Sequence, residues 1–158
     1  MSDFPRPRTG FSLVELLACI VIIGVLAAVA GPRFVSYQPF QERGYIDEVA
    51  ASLRYSQRVA IATGCDVLFT VNAASYQATQ RAAAAGTCSA AGAWSLAVMR
   101  ADGTGVTGSA PSGVVLSPST PTQIQFNPQG APVSAPPTLT VGSFSLRVDS
   151  GSGLVTVQ

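Results

Sequence analysis

Hydrophobic residues fill one continuous stretch near the start of the chain. Residues 11–31, FSLVELLACIVIIGVLAAVAG, carry a single charged side chain, that of Glu15. As a helix, a segment of this length would rise about 31 Å, which matches the hydrocarbon core of a bilayer at about 30 Å. The pattern therefore predicts a membrane-spanning helix over residues 11–31, preceded by a short polar segment with two arginines, residues 1–10.

A second helical pattern follows over residues 32–63. Apolar positions recur every three or four residues, and charged side chains take the other side of the helix. Pro32 and Pro39 predict a kink or local loosening near its start, and Gly64 supplies a stop. One face should therefore pack on a domain that follows. The residues predicted on that face are Ile46, Val49, Ala50, Leu53, Gln57, Ala60 and Ile61.

After Gly64 the hydrophobic period changes from that of a helix to that of a strand. Val67, Phe69 and Val71 alternate in DVLFTVN, and further short runs are separated by Gly, Pro, Ser and Asn. The last two runs, joined by SGSG, predict a terminal antiparallel hairpin. The fold class is therefore α+β, with a long N-terminal helix whose second half packs on a small antiparallel β-rich domain, residues 64–158. The other predicted strand runs are SYQATQ, WSLAVMR, GVVLS, TQIQFNPQG and LTV.

Composition excludes several classes of function. Hydrophobic residues make up 47% of the chain and charged residues 11%; the nine basic residues are all arginine, and there is no histidine. Imidazole bases, histidine metal ligands, Schiff-base lysines and P-loop lysines are thus absent from the sequence. A net charge of +1 gives no electrostatic footprint for nucleic acid.

The remaining chemical motifs are weak. The three acids of the β-rich region stand singly, so paired-carboxylate catalysis is not expected. GTGVTG, residues 103–108, fits a dinucleotide fingerprint, but SAPSG after it does not open a helix, so a surface loop is expected. Tyr76 and Trp94 are expected in the core or in cross-strand pairs. The sequence therefore predicts no catalytic residue, no metal site and no cofactor.

Three cysteines bear on the cellular compartment. Cys19 lies in the apolar run, whereas Cys65 and Cys88 lie in the polar region. If that region is exported, an oxidising compartment favours a disulfide between Cys65 and Cys88. The alternative is a pair of buried free thiols.

The N-terminus has two interpretations. A secretory signal peptide could be cut after AVA, before Gly31, but Glu15 is a charge where such a segment should be apolar. Alternatively, TGFSLVELL resembles the prepilin cleavage signal of type IV pilins and type II secretion pseudopilins. That resemblance implies that residues 1–10 are a leader, that a prepilin peptidase cuts between Gly10 and Phe11, and that the new Phe11 amine is methylated. Glu15 then matches the family's glutamate, and Pro32 a common helix-breaking proline.

The charge of Glu15 has a physical use in that interpretation. In a filament of staggered helices, the Glu15 carboxylate of one subunit can meet the Phe11 amine of its neighbour. At about 4 Å and an effective dielectric of about 20, the attraction is on the order of 4 kcal/mol before desolvation. An intramembrane charge answered by a partner charge is the expected pattern. The alternative is that Glu15 only snorkels to the membrane interface.

Weaker similarity extends along the chain. LRYSQRVAIATGCDVLF, IQFNPQG and FSLRVDSGSGLVTVQ resemble GspH/FimT-type minor subunits, and FQERGYIDEVAASLRYSQRVAIATGC is similar to minor pilins of mannose-sensitive haemagglutinin (MSHA) pili. The resemblance implies a non-enzymatic minor pilin or pseudopilin, single-pass in the inner membrane, with a periplasmic C-terminal domain. Its partners would be other pilin or pseudopilin subunits, the prepilin peptidase and membrane lipid.

Two other functions stay open. One is a FimT-like minor pilin that binds DNA for uptake. The final strands offer only Arg147, beside Asp149, so phosphate binding should be weak and no nucleic acid is expected. The other is a periplasmic binding domain with an ordinary signal peptide. The sequence does not decide between a type IV pilus and a secretion pseudopilus.

Overall fold

The chain forms two compact units, Met1–Tyr37 and Gln38–Gln158. Among the described residues, the first unit contains one helix, and the second contains one helix and nine strands. The computed structural model describes residues 12–30, 37–81, 88 and 91–158.

The helix of the first unit, α1, spans Leu13–Ala30. It begins directly after Ser12, whose carbonyl accepts the amides of Glu15 and Leu16 at 3.0 and 3.1 Å. Among the described residues, no helix combines the length and the apolar character that crossing a membrane requires. The predicted segment, residues 11–31, extends beyond α1 at both ends into residues that the structure does not describe.

The helix of the second unit, α2, spans Gln38–Thr63. Pro39 lies in its first turn, where a missing backbone donor costs little, while Pro32 lies outside the described residues. Gly64 ends the helix with a φ of +66°, a left-handed conformation that glycine adopts easily. The buried face of α2 comprises Tyr45, Ile46, Val49, Ala50, Ser52, Leu53, Ser56 and Ala60.

Most of the predicted packing face is therefore confirmed, with one correction at its end. Ile61 is 53% exposed and lies against Gly130 rather than in the core. Ala60, the residue before it, is fully buried, so Ile61 lies at the edge of the packing face rather than on it.

The strands form two antiparallel sheets. The strands are β1 Val67–Val71, β2 Ser75–Gln80, β3 Leu96–Ala97, β4 Thr107–Ser109, β5 Leu116–Ser117, β6 Thr122–Phe126, β7 Leu139–Val141, β8 Phe144–Val148 and β9 Val155–Val157. The first sheet has the order β3-β2-β1-β6, with β4 also paired to β2, and the second has the order β5-β7-β8-β9.

The predicted terminal hairpin is confirmed, with β8 and β9 antiparallel and Arg147 opposite Thr156. The expected surface loop at residues 103–108 is wrong in part. Val106 is 1% exposed, and β4 pairs Thr107 with Gln77. Gly105 and Gly108 made this short strand, whose residues are largely exposed, look like a loop.

One core joins α2 to both sheets. Its largest fully buried side chains include Tyr45, Phe69, Tyr76 and Phe126. Gln57, also predicted on the packing face, donates from Nε2 to the carbonyls of Gly130 and Ser152, both at 2.9 Å. One side chain of α2 thereby holds the turn after β6 and the turn between β8 and β9. The architecture is the predicted pilin-like α+β fold, with α2 packed on antiparallel sheets.

Candidate assembly site

Glu15 lies in the first turn of α1. Ser12 is the residue before the helix, and its Oγ accepts the Val14 amide at 3.4 Å. The positive end of the helix dipole favours a carboxylate at this position. Glu15 is exposed, and its side chain has no partner among the described residues.

The other two predicted residues of this site, Gly10 and Phe11, lie outside the described residues. Cleavage at Gly10, methylation at Phe11 and the pairing of Glu15 accordingly stay predictions.

The structure joins Cys65 to Cys88 in a disulfide, with their Cα atoms 5.2 Å apart. Cys65 follows the glycine that ends α2, just before β1 begins. The bridge thus ties the end of α2 to the chain segment that follows β2. Cys19, exposed on α1, is a free cysteine.

A chain of hydrogen bonds lies between α2 and the first sheet. The Tyr76 hydroxyl donates to Glu48 Oε1 at 2.6 Å and accepts from Ser52 Oγ at 3.0 Å. Arg100 Nη2 in turn donates to Ser52 Oγ at 3.3 Å. Each hydroxyl donates one hydrogen bond and accepts one. The hydrogen bonds therefore run in a single direction, from the Arg100 guanidinium to the Glu48 carboxylate. We call these four residues the Tyr76 cluster.

Burial raises the pKa of Tyr76, and its bond to Glu48 raises it further, because both favour the neutral phenol. Burial also raises the pKa of Tyr45 to about 12, with Tyr76 and Glu48 adding to the effect. Unlike Tyr76, Tyr45 has a buried hydroxyl without a hydrogen-bond partner among the described residues.

Sequence reasoning placed Tyr76 in the core, where it lies, but missed the polar chain around it. The only sequence signal was the spacing of Glu48 and Ser52, which lie about one helical turn apart beside the packing face of α2. Trp94 is half-buried rather than part of the core, and the Arg81 guanidinium stacks 4.4 Å from its ring centroid.

A groove of about 490 Å³ runs along the outer face of the β8–β9 hairpin. This face points away from the core, since the alternate residues Leu146 and Val148 are the buried ones. We call it the hairpin groove. The residues that line it include Pro136, Arg147, Asp149, Leu154, Thr156 and Gln158.

Asp149 stabilises the hairpin turn beside the groove. Its Oδ1 accepts the amides of Gly151 and Ser152 at 3.1 and 2.7 Å and the Ser152 hydroxyl at 2.7 Å. These bonds, those from Ser152 first, hold the pKa of Asp149 below its usual value. By contrast, the Arg147 guanidinium makes no hydrogen bond, ion pair or ring contact with another described residue.

Comparison with known families accounts for nearly the whole chain. The prokaryotic N-terminal methylation motif matches residues 5–31, a range that contains Gly10, Phe11 and Glu15. The family described as type II transport protein GspH matches residues 46–158, which include most of α2 and both sheets. The chain belongs to the GspH family. Proteins of the pilin and pseudopilin families are structural rather than enzymatic.

A pilin is also similar to this GspH-family chain. The type IV narrow pilus major component PilA5 of Thermus thermophilus is 38% identical over 65 residues, which cover 38% of the chain and 56% of the relative. The chain thus spans little more than half the length of the curated relative that it matches. No solved structure matches the chain.

Proposed function

We propose that this GspH-family protein is a minor pilin or pseudopilin whose α1 enters the core of a filament. In the proposal, a prepilin peptidase removes residues 1–10 and methylates the Phe11 amine. The observation that carries the proposal is the succession, in one chain, of the methylation motif over residues 5–31 and the GspH match over residues 46–158. The filament is a type IV pilus or a type II secretion pseudopilus.

Before assembly, the apolar segment 11–31 would hold the subunit in the inner membrane, with the domain from residue 64 onward in the periplasm. Its low charge and its length in the sequence support this arrangement. The disulfide between Cys65 and Cys88 suits an oxidising compartment such as the periplasm.

Glu15 is the proposed assembly residue. Its carboxylate is exposed and has no partner among the described residues, so it can pair with the Phe11 amine of a neighbouring subunit. A charge in an apolar surrounding is costly unless an opposite charge answers it. Pairing would therefore fix the axial register of one subunit against the next.

We expect Glu15→Gln to leave membrane insertion unchanged, because the variant keeps the shape and loses only the charge. The variant should be depleted from sheared filament material by at least tenfold relative to its level in the membrane, since about 1.4 kcal/mol of lost pairing is a factor of ten. Asp102→Asn removes an exposed charge from a surface turn and is the matched control. Equal recovery of Glu15→Gln and Asp102→Asn in filaments would contradict the assembly role.

A further inference from the structure

Two large apolar side chains are exposed near the start of α2. Phe40, in the first turn of the helix, is 79% exposed. The Gln38 side chain donates from Nε2 to the Gly113 carbonyl at 3.2 Å, which brings the loop before β5 to the same end of the helix. Val115, two residues after Gly113, is 60% exposed. We call these two segments, residues 38–41 and 111–115, the α2-start surface.

The α2-start surface carries no charged side chain. Its two segments read QPFQ and PSGVV. The second segment lies within a long run without charge, residues 103–146. The first charges that follow along α2, Glu42 and Arg43, have opposite signs. Covering the α2-start surface with a less polar medium would therefore desolvate no charge of its own.

The α2-start surface follows closely on the apolar segment 11–31 in the sequence. Six residues lie between that segment and Gln38. Even fully extended, such a connection spans about 25 Å at most. Its last residue, Tyr37, is also 68% exposed. If the apolar segment is held in a bilayer, the covalent chain therefore keeps the start of α2 within reach of the lipid headgroups.

We propose that, before assembly, the α2-start surface rests on the lipid–water interface of the membrane, with Phe40 and Val115 entering it. The inference rests on the proposed function, which places the apolar segment in the inner membrane. Tyrosine is enriched in this interfacial layer, and phenylalanine and leucine side chains on interfacial helices enter it. The contact is lost when the subunit leaves the membrane for a filament, so it belongs to the membrane-held form.

The other end of the unit Gln38–Gln158 provides a matched comparison. Leu154 is 61% exposed and lies next to the hairpin turn that Gln57 holds through the Ser152 carbonyl. From Phe40 to Gln57, α2 rises about 26 Å. The interfacial layer adds only about 5–8 Å to each side of the hydrocarbon core. A membrane contact through the α2-start surface therefore leaves Leu154 in water.

Fluorescence quenching in bilayers tests the contact. The full chain, as single-tryptophan variants in a Trp94→Phe background, is reconstituted in phosphatidylcholine vesicles whose acyl chains carry bromine near the headgroup. We expect the brominated lipid to lower the emission of Phe40→Trp and of Val115→Trp by roughly twofold, because an interfacial tryptophan contacts the bromines. Leu154→Trp is the matched control and should keep its emission. No quenching of Phe40→Trp, or equal quenching of Leu154→Trp, would overturn the proposal.

A further reporter separates this proposal from the proposed function. Val21→Trp lies within the apolar segment, and bromines deep in the acyl chains should quench it when the segment enters the bilayer. If Val21→Trp is not quenched, the membrane anchoring in the proposed function is wrong, and the surface contact falls with it. If Val21→Trp is quenched but Phe40→Trp is not, the surface contact alone is wrong, and Phe40 is left for a neighbouring subunit to cover.

Discussion

At the scale of single residues, two neighbouring tyrosines have opposite hydrogen-bonding states. Tyr45 and Tyr76 are both buried, and their ring centroids lie 6.4 Å apart. The Tyr76 hydroxyl joins Ser52 to Glu48, whereas the Tyr45 hydroxyl has no partner among the described residues. A buried hydroxyl stabilises a fold only when its hydrogen bonds are made.

Removing these two hydroxyls should therefore have unequal effects. We expect Tyr76→Phe to lower the free energy of unfolding by about 1–3 kcal/mol, because Ser52 and Glu48 lose their shared partner. Tyr45→Phe should leave it unchanged or raise it by up to about 1 kcal/mol, since it removes a desolvated group and no hydrogen bond. Urea unfolding at pH 7 measures both. Equal losses in the two variants would show that the Tyr45 hydroxyl does have a partner.

The pKa of Tyr45 gives a second test of the same residue. Because its pKa is raised from 10.0 to about 12, the folded state holds the proton more tightly than the unfolded state does. This contribution to stability is complete below pH 10 and is lost as the pH rises from 10 toward 12. Tyr45→Phe should lose less stability than the wild type over that interval of pH. A matching loss in both proteins would contradict the assignment.

At the scale of elements, the disulfide and Gln57 fix α2 to the sheets at the same end of the helix. Cys65 follows the end of α2, and its partner Cys88 lies beyond β2. Gln57 holds the turn after β6 and the turn between β8 and β9. The C-terminal half of α2 is thus tied to both sheets by side chains that lie outside the apolar core.

Loss of the disulfide should destabilise the domain without changing its fold. The bridge spans 23 positions of sequence. In the chain-entropy model, closing a loop of this length stabilises by roughly 3 kcal/mol. Cys65→Ser with Cys88→Ser should lower the free energy of unfolding by about that amount, while Cys19→Ser, on α1, is the control. Recovery of Cys65 and Cys88 as free thiols from the native protein, by peptide mapping without reductant, would contradict the bridge.

Much of the architecture at this scale could be predicted from the sequence. Alternation identified β1 through Val67, Phe69 and Val71, and the helical period identified the buried face of α2. Both are local patterns with a regular repeat. Strand β4 was missed because a three-residue strand next to glycines has no repeat to detect. Ile61 was misplaced because the period of a helix does not reveal how wide its covered face is, and Ile61 lies just outside that face beside the buried Ala60.

The contacts at the candidate sites could not be predicted from local repeats in the sequence. The Tyr76 cluster joins Arg100 to Ser52 and Glu48 across 48 positions or more, and no local pattern records a contact of that length. Glu42 likewise covers Gly142, in the turn between β7 and β8, which is far from it along the chain. By contrast, Glu15 could be singled out from sequence, because a lone charge in an apolar run is itself the signal.

At the scale of the whole molecule, the charge is balanced once a leader of ten residues is removed. Nine arginines fall to seven and eight acids to seven, because residues 1–10 contain Arg6, Arg8 and Asp3. Within the described residues, most of the remaining arginines have partners in the chain, namely Arg43, Arg54, Arg81 and Arg100. A protein of this kind has little potential to attract polyanions at a distance.

We therefore expect no useful binding to DNA. The protein should produce no salt-sensitive shift of duplex DNA near physiological salt, and Arg147→Ala should behave as the wild type does. Micromolar affinity with a steep dependence on salt, lost in Arg147→Ala, would contradict this expectation and favour a role in DNA uptake.

The intact mass of the protein purified from membranes reports cleavage and methylation together, and so tests the proposed processing directly. Cleavage by a prepilin peptidase predicts a chain that has lost Met1 to Gly10 and begins at Phe11 with one added methyl group. A Glu15→Gln sample from the same preparation should show the same cleavage, since the cut precedes Phe11. A mature chain that begins at Gly31 would mean an ordinary signal peptide, without a filament helix, and would contradict the account.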